Sequence, residues 1–147
     1  MISVGVTRGE GDVRITARTV RHWVRATLEA EGVRRAEITV VFIDDQLSRR
    51  LHRRWFGRDS TTDVMAFPLG MEETLEGEIY VNGARARRQA RRVGVSPREE
   101  LLRLVVHGTL HLAGHDDTTS THARRMRERE NALVVRLRPG RRGTRQQ

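Results

Sequence analysis

The sequence predicts an α+β fold: a single domain with a mixed sheet of about four strands, packed with helices around one buried central helix. Three observations carry this. Segments with strand periodicity alternate with segments of helical periodicity along the chain. One stretch, Pro97 to Leu112, is apolar almost all round, as a helix in the middle of a core must be. The chain has 147 residues, with no repeats and no interdomain linker, so it is long enough for one core and short for two.

Each element has a local reason. Ile2, Val4 and Val6 alternate with Ser3, Gly5 and Thr7, which is strand periodicity, and Val13 and Ile15 are expected to extend or partner that edge. Val20, Trp23, Val24 and Leu28 fall at helical spacing before a stop at Gly32. Ile38 to Ile43 is a β-branched run with Phe42 and reads as a buried strand. Asp44 or Asp45 caps the next helix, with an apolar stripe of Leu47, Leu51 and Trp55 and an end at Gly57. Asp63 to Phe67 reads as a short strand closed by Pro68, Leu69 to Glu76 as a loop, and Glu78 to Asn82 as another strand. An arginine-rich helix follows, its small face made of Ala84, Ala86 and Ala90, ending at Gly94. Ser96-Pro97-Arg98-Glu99 is a strong helix start: serine at the cap, proline in the first turn, glutamate three after the cap. The central helix runs from there to a stop at Gly114, and a residue within Thr118–Thr121 caps a last helix reaching about Leu137. The domain is therefore placed at residues 1–137, with a basic, unstructured tail at 138–147.

Composition narrows the function. There is no cysteine, which excludes disulfides, thiolate metal sites and a cysteine nucleophile. No apolar run approaches the ~20 residues that span a membrane. The start Met1-Ile2-Ser3-Val4 lacks a secretory pattern, so a cytoplasmic location is expected, without membrane partners. The net charge is +9 and every basic side chain counted is arginine, whose planar fork suits phosphate. Arg85, Arg87, Arg88, Arg91 and Arg92 form one run without an acid, and a second basic stretch follows Thr118. Such clusters suit a polyanion, nucleic acid first, and equally a solvated basic face. Aromatic residues are few, 4% of the chain, so extensive base stacking is not expected.

The chemistry concentrates at the end of the central helix, in Val106-His107-Gly108-Thr109-Leu110-His111-Leu112-Ala113-Gly114-His115-Asp116-Asp117. His107 and His111 are one helical turn apart and can reach one point. Buried unpaired imidazoles cost about 1–3 kcal/mol each, a cost that a shared metal ion removes. Gly114 lets the chain reverse, and a third ligand can come from beyond it. Histidine at 115 is the softer zinc donor, but it sits still in the turn, whereas Asp117 has room to complete the reversal. Register favours Asp117, with His115 as a partner behind the ligands or a substrate contact. Two imidazoles, one carboxylate and an open position make the ligand set of a catalytic zinc site. Gly108 stands where H-E-x-x-H proteases carry their glutamate base, which weakens a protease reading. A helix-interior glycine costs about 1 kcal/mol, so sheet backbone or substrate is expected to approach closely there.

These residues resemble the YbeY family, bacterial endoribonucleases also called rRNA maturation factors. Leu51-His52-Arg53-Arg54-Trp55-Phe56-Gly57-Arg58-Asp59, leading into Thr62-Asp63-Val64-Met65-Ala66-Phe67-Pro68, resembles the family's LNxxYRGKDxPTDVLSFP. Gly77-Glu78-Ile79-Tyr80-Val81 resembles GDIxI, and His107 to Asp117 resembles HGxLHLxGYDH. The resemblance covers roughly residues 1–135 by pattern. It implies one zinc ion per chain at His107, His111 and Asp117, with aspartate where most of the family has a third histidine. It implies cleavage of single-stranded RNA in rRNA maturation and ribosome quality control, with RNA, the ribosome and ribosomal proteins as partners. The family's arginine after the aromatic of the first motif falls on Phe56, which cannot bind phosphate, so the catalytic group stays unassigned. Arg53, Arg54 and Arg58 are candidate substitutes, and the same three also suit a solvated helix surface. Two further readings stay open: a non-catalytic ribosome-assembly factor with a structural metal, and a metal hydrolase acting on another substrate.

Overall fold

The computed structural model describes residues 1–8, 14–57, 62–70 and 72–139. In chain order the elements are β1 (Ile2–Arg8), α1 (Ala17–Ala30), β2 (Ala36–Ile43), α2 (Asp45–Phe56), β3 (Val64–Gly70), β4 (Leu75–Asn82), α3 (Gly83–Val93), α4 (Pro97–Leu112) and α5 (Ser120–Leu137). The four strands make one mixed sheet in the order β1-β2-β4-β3. β1 runs parallel to β2, and β2 parallel to β4, with Val4 opposite Ile38 and Ile38 opposite Gly77. β3 completes the sheet as an antiparallel edge, with Ala66 opposite Ile79. Parallel neighbours need a crossover rather than a tight turn. α1 supplies it between β1 and β2, and α2 with β3 intervenes between β2 and β4.

Alternation sorts the sheet's two faces. Ala36, Ile38, Val40 and Phe42 of β2, with Leu75, Ile79 and Val81 of β4, are buried in the core, while Glu37 and Glu76 between them are exposed. α4 packs on β3 and β4 and is flanked by α1, α3 and α5, so apolar side chains are needed on nearly all its sides. Leu102, Val105, Val106 and Leu110 are wholly buried. Its start is as the sequence reads: the Glu99 amide donates to the Ser96 hydroxyl at 3.0 Å, with Pro97 as the first helical residue. α5 starts at a Thr119 cap and ends at Leu137.

Four expectations differ from the structure. The segment expected as a loop from Leu69 to Glu76 is strand at both ends, since β3 continues to Gly70 and β4 begins at Leu75, with bends at 72–74 between them. Pro68 does not close β3, because β3 is an edge strand, where a missing N–H is tolerated, and the register shifts between Pro68 and Gly70. Trp55 is 59% exposed rather than part of a buried stripe, since α2 ends over the sheet edge instead of over the core. Ile15 pairs with no strand; it is buried in the connection before α1. Val13, Arg58 and residues 140–147 lie outside the described residues. Arg138, first residue of the expected tail, sits 3.6 Å from Glu99. Among the described residues, no helix is long and apolar enough to cross a membrane.

Candidate metal centre

Helix α4 buries apolar side chains along most of its length, and in its last turns His107 and His111 stand one above the other with ring centroids 4.8 Å apart. The chain then reverses in a Schellman arrangement. The Gly114 amide bonds the His111 carbonyl at 3.1 Å and the His115 amide bonds the Leu110 carbonyl at 3.0 Å. Gly114 adopts φ 109°, a left-handed conformation that side chains other than glycine rarely take. That reversal carries Asp117 back over the helix end. One ligand atom from each of His107, His111 and Asp117 lies within 4.8 Å of the others.

Both imidazoles are held from behind. His107 Nδ1 lies 2.6 Å from Glu130 Oε1 on α5, and Arg103 donates to the other Glu130 oxygen at 2.6 Å and to Asn131 Oδ1 at 2.8 Å. His111 Nδ1 donates to the His115 backbone carbonyl at 3.1 Å. With both Nδ1 atoms engaged, Nε2 is the remaining donor on each ring, the arrangement that fixes tautomer and aim in metal-ligating histidines. The donor set therefore fits a divalent ion: two imidazoles and a carboxylate, with room for further ligands on the open side.

His115 does not join the cluster through its ring. Its Nε2 lies 2.8 Å from Glu31 Oε1 at the end of α1, and Glu31 is gripped on its other oxygen by Arg129 Nε at 2.8 Å. Its backbone carbonyl, not its imidazole, serves the site.

Electrostatics follow from these contacts. Burial disfavours charge on His107, but the Glu130 carboxylate, helped by Asp63 and Asp117, outweighs it and raises the pKa. His111 moves the other way, lowered by burial and then by its neighbour His107, against the pull of Asp117. Burial would raise Glu130, but hydrogen bonds from His107 and Arg103 win and hold it below the ordinary carboxylate value. Glu100, buried on α4, is raised by desolvation despite a 2.8 Å bond from Gln89.

The cluster opens into a cavity of about 460 Å³ whose walls include His52 and Phe56 of α2 and Asp63 before β3. Arg53 and Arg54 are exposed on α2 and do not line it. Arg88 of the basic helix is engaged, in a two-pronged bond to Asp45 at 2.8 and 3.1 Å. The close approach at Gly108 is made by the sheet: a Cβ there would lie 2.7 Å from Ile79 Cγ2 and 3.3 Å from Val64 Cγ2. Glu130 and Arg103 were not singled out from the sequence. The available signal was a carboxylate in the α5 stripe Met126, Glu130, Leu133 and Val134, where helical spacing demands apolar side chains.

Comparison with known proteins is consistent over most of the chain. The family model described as Endoribonuclease YbeY matches residues 7–138. A curated relative named Endoribonuclease YbeY from Aquifex aeolicus is 35% identical, over 85% of this chain and 89% of its own length. Another of that name, from Chlorobium luteolum, is 36% identical over 78% of this chain and 83% of its own. The solution structure of TM1509 from Thermotoga maritima superposes with a TM-score of 0.68 at 30% identity, covering 93% of this chain and 89% of that one.

Proposed function

The chain belongs to the endoribonuclease YbeY family, and on that premise we propose that it is a zinc-dependent endoribonuclease. It cleaves phosphodiester bonds in single-stranded RNA, in the cytoplasm, during rRNA maturation and ribosome quality control. Residues 1–137 form the catalytic domain and 138–147 a basic tail, and contacts with ribosomal proteins bring the enzyme to its substrate. The observation that carries this reading is the meeting of His107, His111 and Asp117 at the mouth of an open cavity.

His107 and His111 hold one zinc ion through Nε2, and Asp117 completes the protein's share of the ligands. A bound divalent ion supplies Lewis acidity to a phosphodiester and activates water. Glu130 keeps the His107 ring aimed and its Nδ1 protonated, and the His115 carbonyl does the same for His111. Arg53 and Arg54, exposed on the helix that walls the cavity, draw in the RNA backbone.

Metal content and cleavage of single-stranded RNA, measured together on wild type, His115→Ala and Asp117→Ala, test this. Wild type and His115→Ala are expected to carry close to one zinc per chain, since alanine keeps the backbone carbonyl that aims His111. Asp117→Ala is expected to lose both metal and cleavage. Cleavage that persists undiminished after chelation, or zinc lost from His115→Ala alone, overturns the assignment.

A further inference from the structure

Aromatic side chains are scarce in this chain, yet four of the six gather at one place. Phe67 of β3 lies 5.9 Å from Trp55, 6.2 Å from Phe56 and 5.6 Å from Tyr80, centroid to centroid, and His52 lies 5.3 Å from Phe56. The remaining two, Trp23 and Phe42, are core residues. Trp55 and Phe56 are 59% and 51% exposed, at the end of a helix. Single exposed apolar residues need no explanation, but two adjacent large rings braced by a third are a built surface.

Phe56 also lines the cavity that holds the His107, His111 and Asp117 cluster, so the aromatic surface is continuous with that cavity. Its surroundings are cationic. Arg49, Arg50, Arg53 and Arg54 are exposed on the same helix, and the Arg54 guanidinium carbon lies 5.8 Å from the Trp55 ring centroid. Exposed rings beside arginines are the means by which proteins hold single-stranded nucleic acid: the cations track the backbone while the bases stack.

We infer that Trp55 and Phe56, braced by Phe67, form a stacking platform for an unpaired nucleobase next to the bond cut at the metal centre. The inference rests on the endoribonuclease reading and adds the substrate feature that it selects. A base inside a duplex is already stacked on both faces and has no face to offer, so the platform favours single strands. It also gives Phe56 a positive role where a phosphate-binding side chain is absent: the ring grips the base instead of the backbone.

The test is binding of a short, uncleavable 2′-O-methyl oligoribonucleotide and of its duplex, measured by fluorescence anisotropy across a range of salt concentrations. Trp55→Ala and Phe56→Ala are each expected to weaken single-strand binding by roughly 5- to 150-fold. The slope of log affinity against log salt should stay that of wild type, because no charge is removed. Duplex affinity should not change, and Trp55→Phe should retain most of the single-strand affinity. In the unmodified protein, single-stranded oligonucleotide should alter tryptophan emission through the exposed Trp55, and duplex should not.

Unchanged affinity in both alanine variants overturns the platform while leaving the endoribonuclease reading intact. So does an equal loss for duplex, or a loss with a shallower salt slope. A dimer of this chain that Trp55→Ala dissociates, with no emission response to RNA, assigns the surface to a second copy and also overturns it. Absence of any RNA binding by wild type overturns both readings.

Discussion

Glu130 is a carboxylate only 8% exposed, in a helix stripe otherwise made of Met126, Leu133 and Val134. A buried charge of this kind is expensive unless every lone pair is met. Here both oxygens are met, one by His107 and the other by Arg103. Replacing Glu130 by glutamine keeps the size and one acceptor but removes the charge that polarises His107. Zinc affinity of Glu130→Gln is expected to fall roughly 10- to 100-fold, as for other partners behind metal ligands. Competition against a chromophoric chelator measures it, with circular dichroism confirming the fold; wild-type affinity in Glu130→Gln would assign the carboxylate a purely structural role. The three cluster residues were legible because helical spacing and a glycine stop act within eleven residues of sequence. Glu130 was not, because it meets His107 across 23 positions and from another helix. No local rule reports such a pairing, and only a charge out of pattern hints at it.

At the scale of elements, the site depends on how closely α4 approaches the sheet. Two glycines set that distance. Gly108 on the helix leaves room for Ile79 and Val64, and Gly77 on β4 leaves room for Leu112, whose δ carbons would lie 2.7 and 2.8 Å from a Cβ there. Alanine at 108 gains about 1 kcal/mol of helix propensity. It also drives a methyl to 2.7 Å from the branched carbon of a wholly buried strand residue. Overpacking of that sort costs about 1–3 kcal/mol, so the penalty outweighs the gain and Gly108→Ala should be less stable by up to about 2 kcal/mol. Urea unfolding reads this directly, and a variant more stable than wild type would show that α4 can move off the sheet freely. The sequence announced an approach at Gly108 but could not name what approaches. Helix starts were the most legible elements, because caps such as Ser96 and Thr119 act on amides two or three residues away. The hairpin of β3 and β4 was the least legible. Its turn residues mimic a loop, and what extends both strands toward it is pairing: β4 with β2 from Ala36 opposite Leu75, and β3 with β4 through a register shift. Trp55 was misplaced for a related reason: helical spacing says which residues share a face, not whether anything covers that face.

Over the whole molecule, one ion-pair network joins the pieces that surround α4. Glu31 sits just past α1, accepts from Arg129 of α5 and meets His115 in the turn between α4 and α5. Burial pushes the Glu31 pKa up, but its bonds to His115 and Arg129 pull harder and leave it below the ordinary 4.5. A carboxyl that is more acidic in the folded state than in the unfolded chain stabilises the fold when ionised. The contribution is complete above pH 4.5 and disappears as pH falls through the lowered folded value. Charge-assisted hydrogen bonds of this type are worth about 1.5–3 kcal/mol, and solvent at the half-exposed Arg129 screens part of it, so about 1–2 kcal/mol is expected at neutral pH. Glu31→Gln should therefore melt below wild type at pH 7, and the two curves should converge in acid. Thermal melts from pH 7 down to acid check the direction. A gap between the two proteins that is constant with pH would mean that Glu31 acts through packing alone.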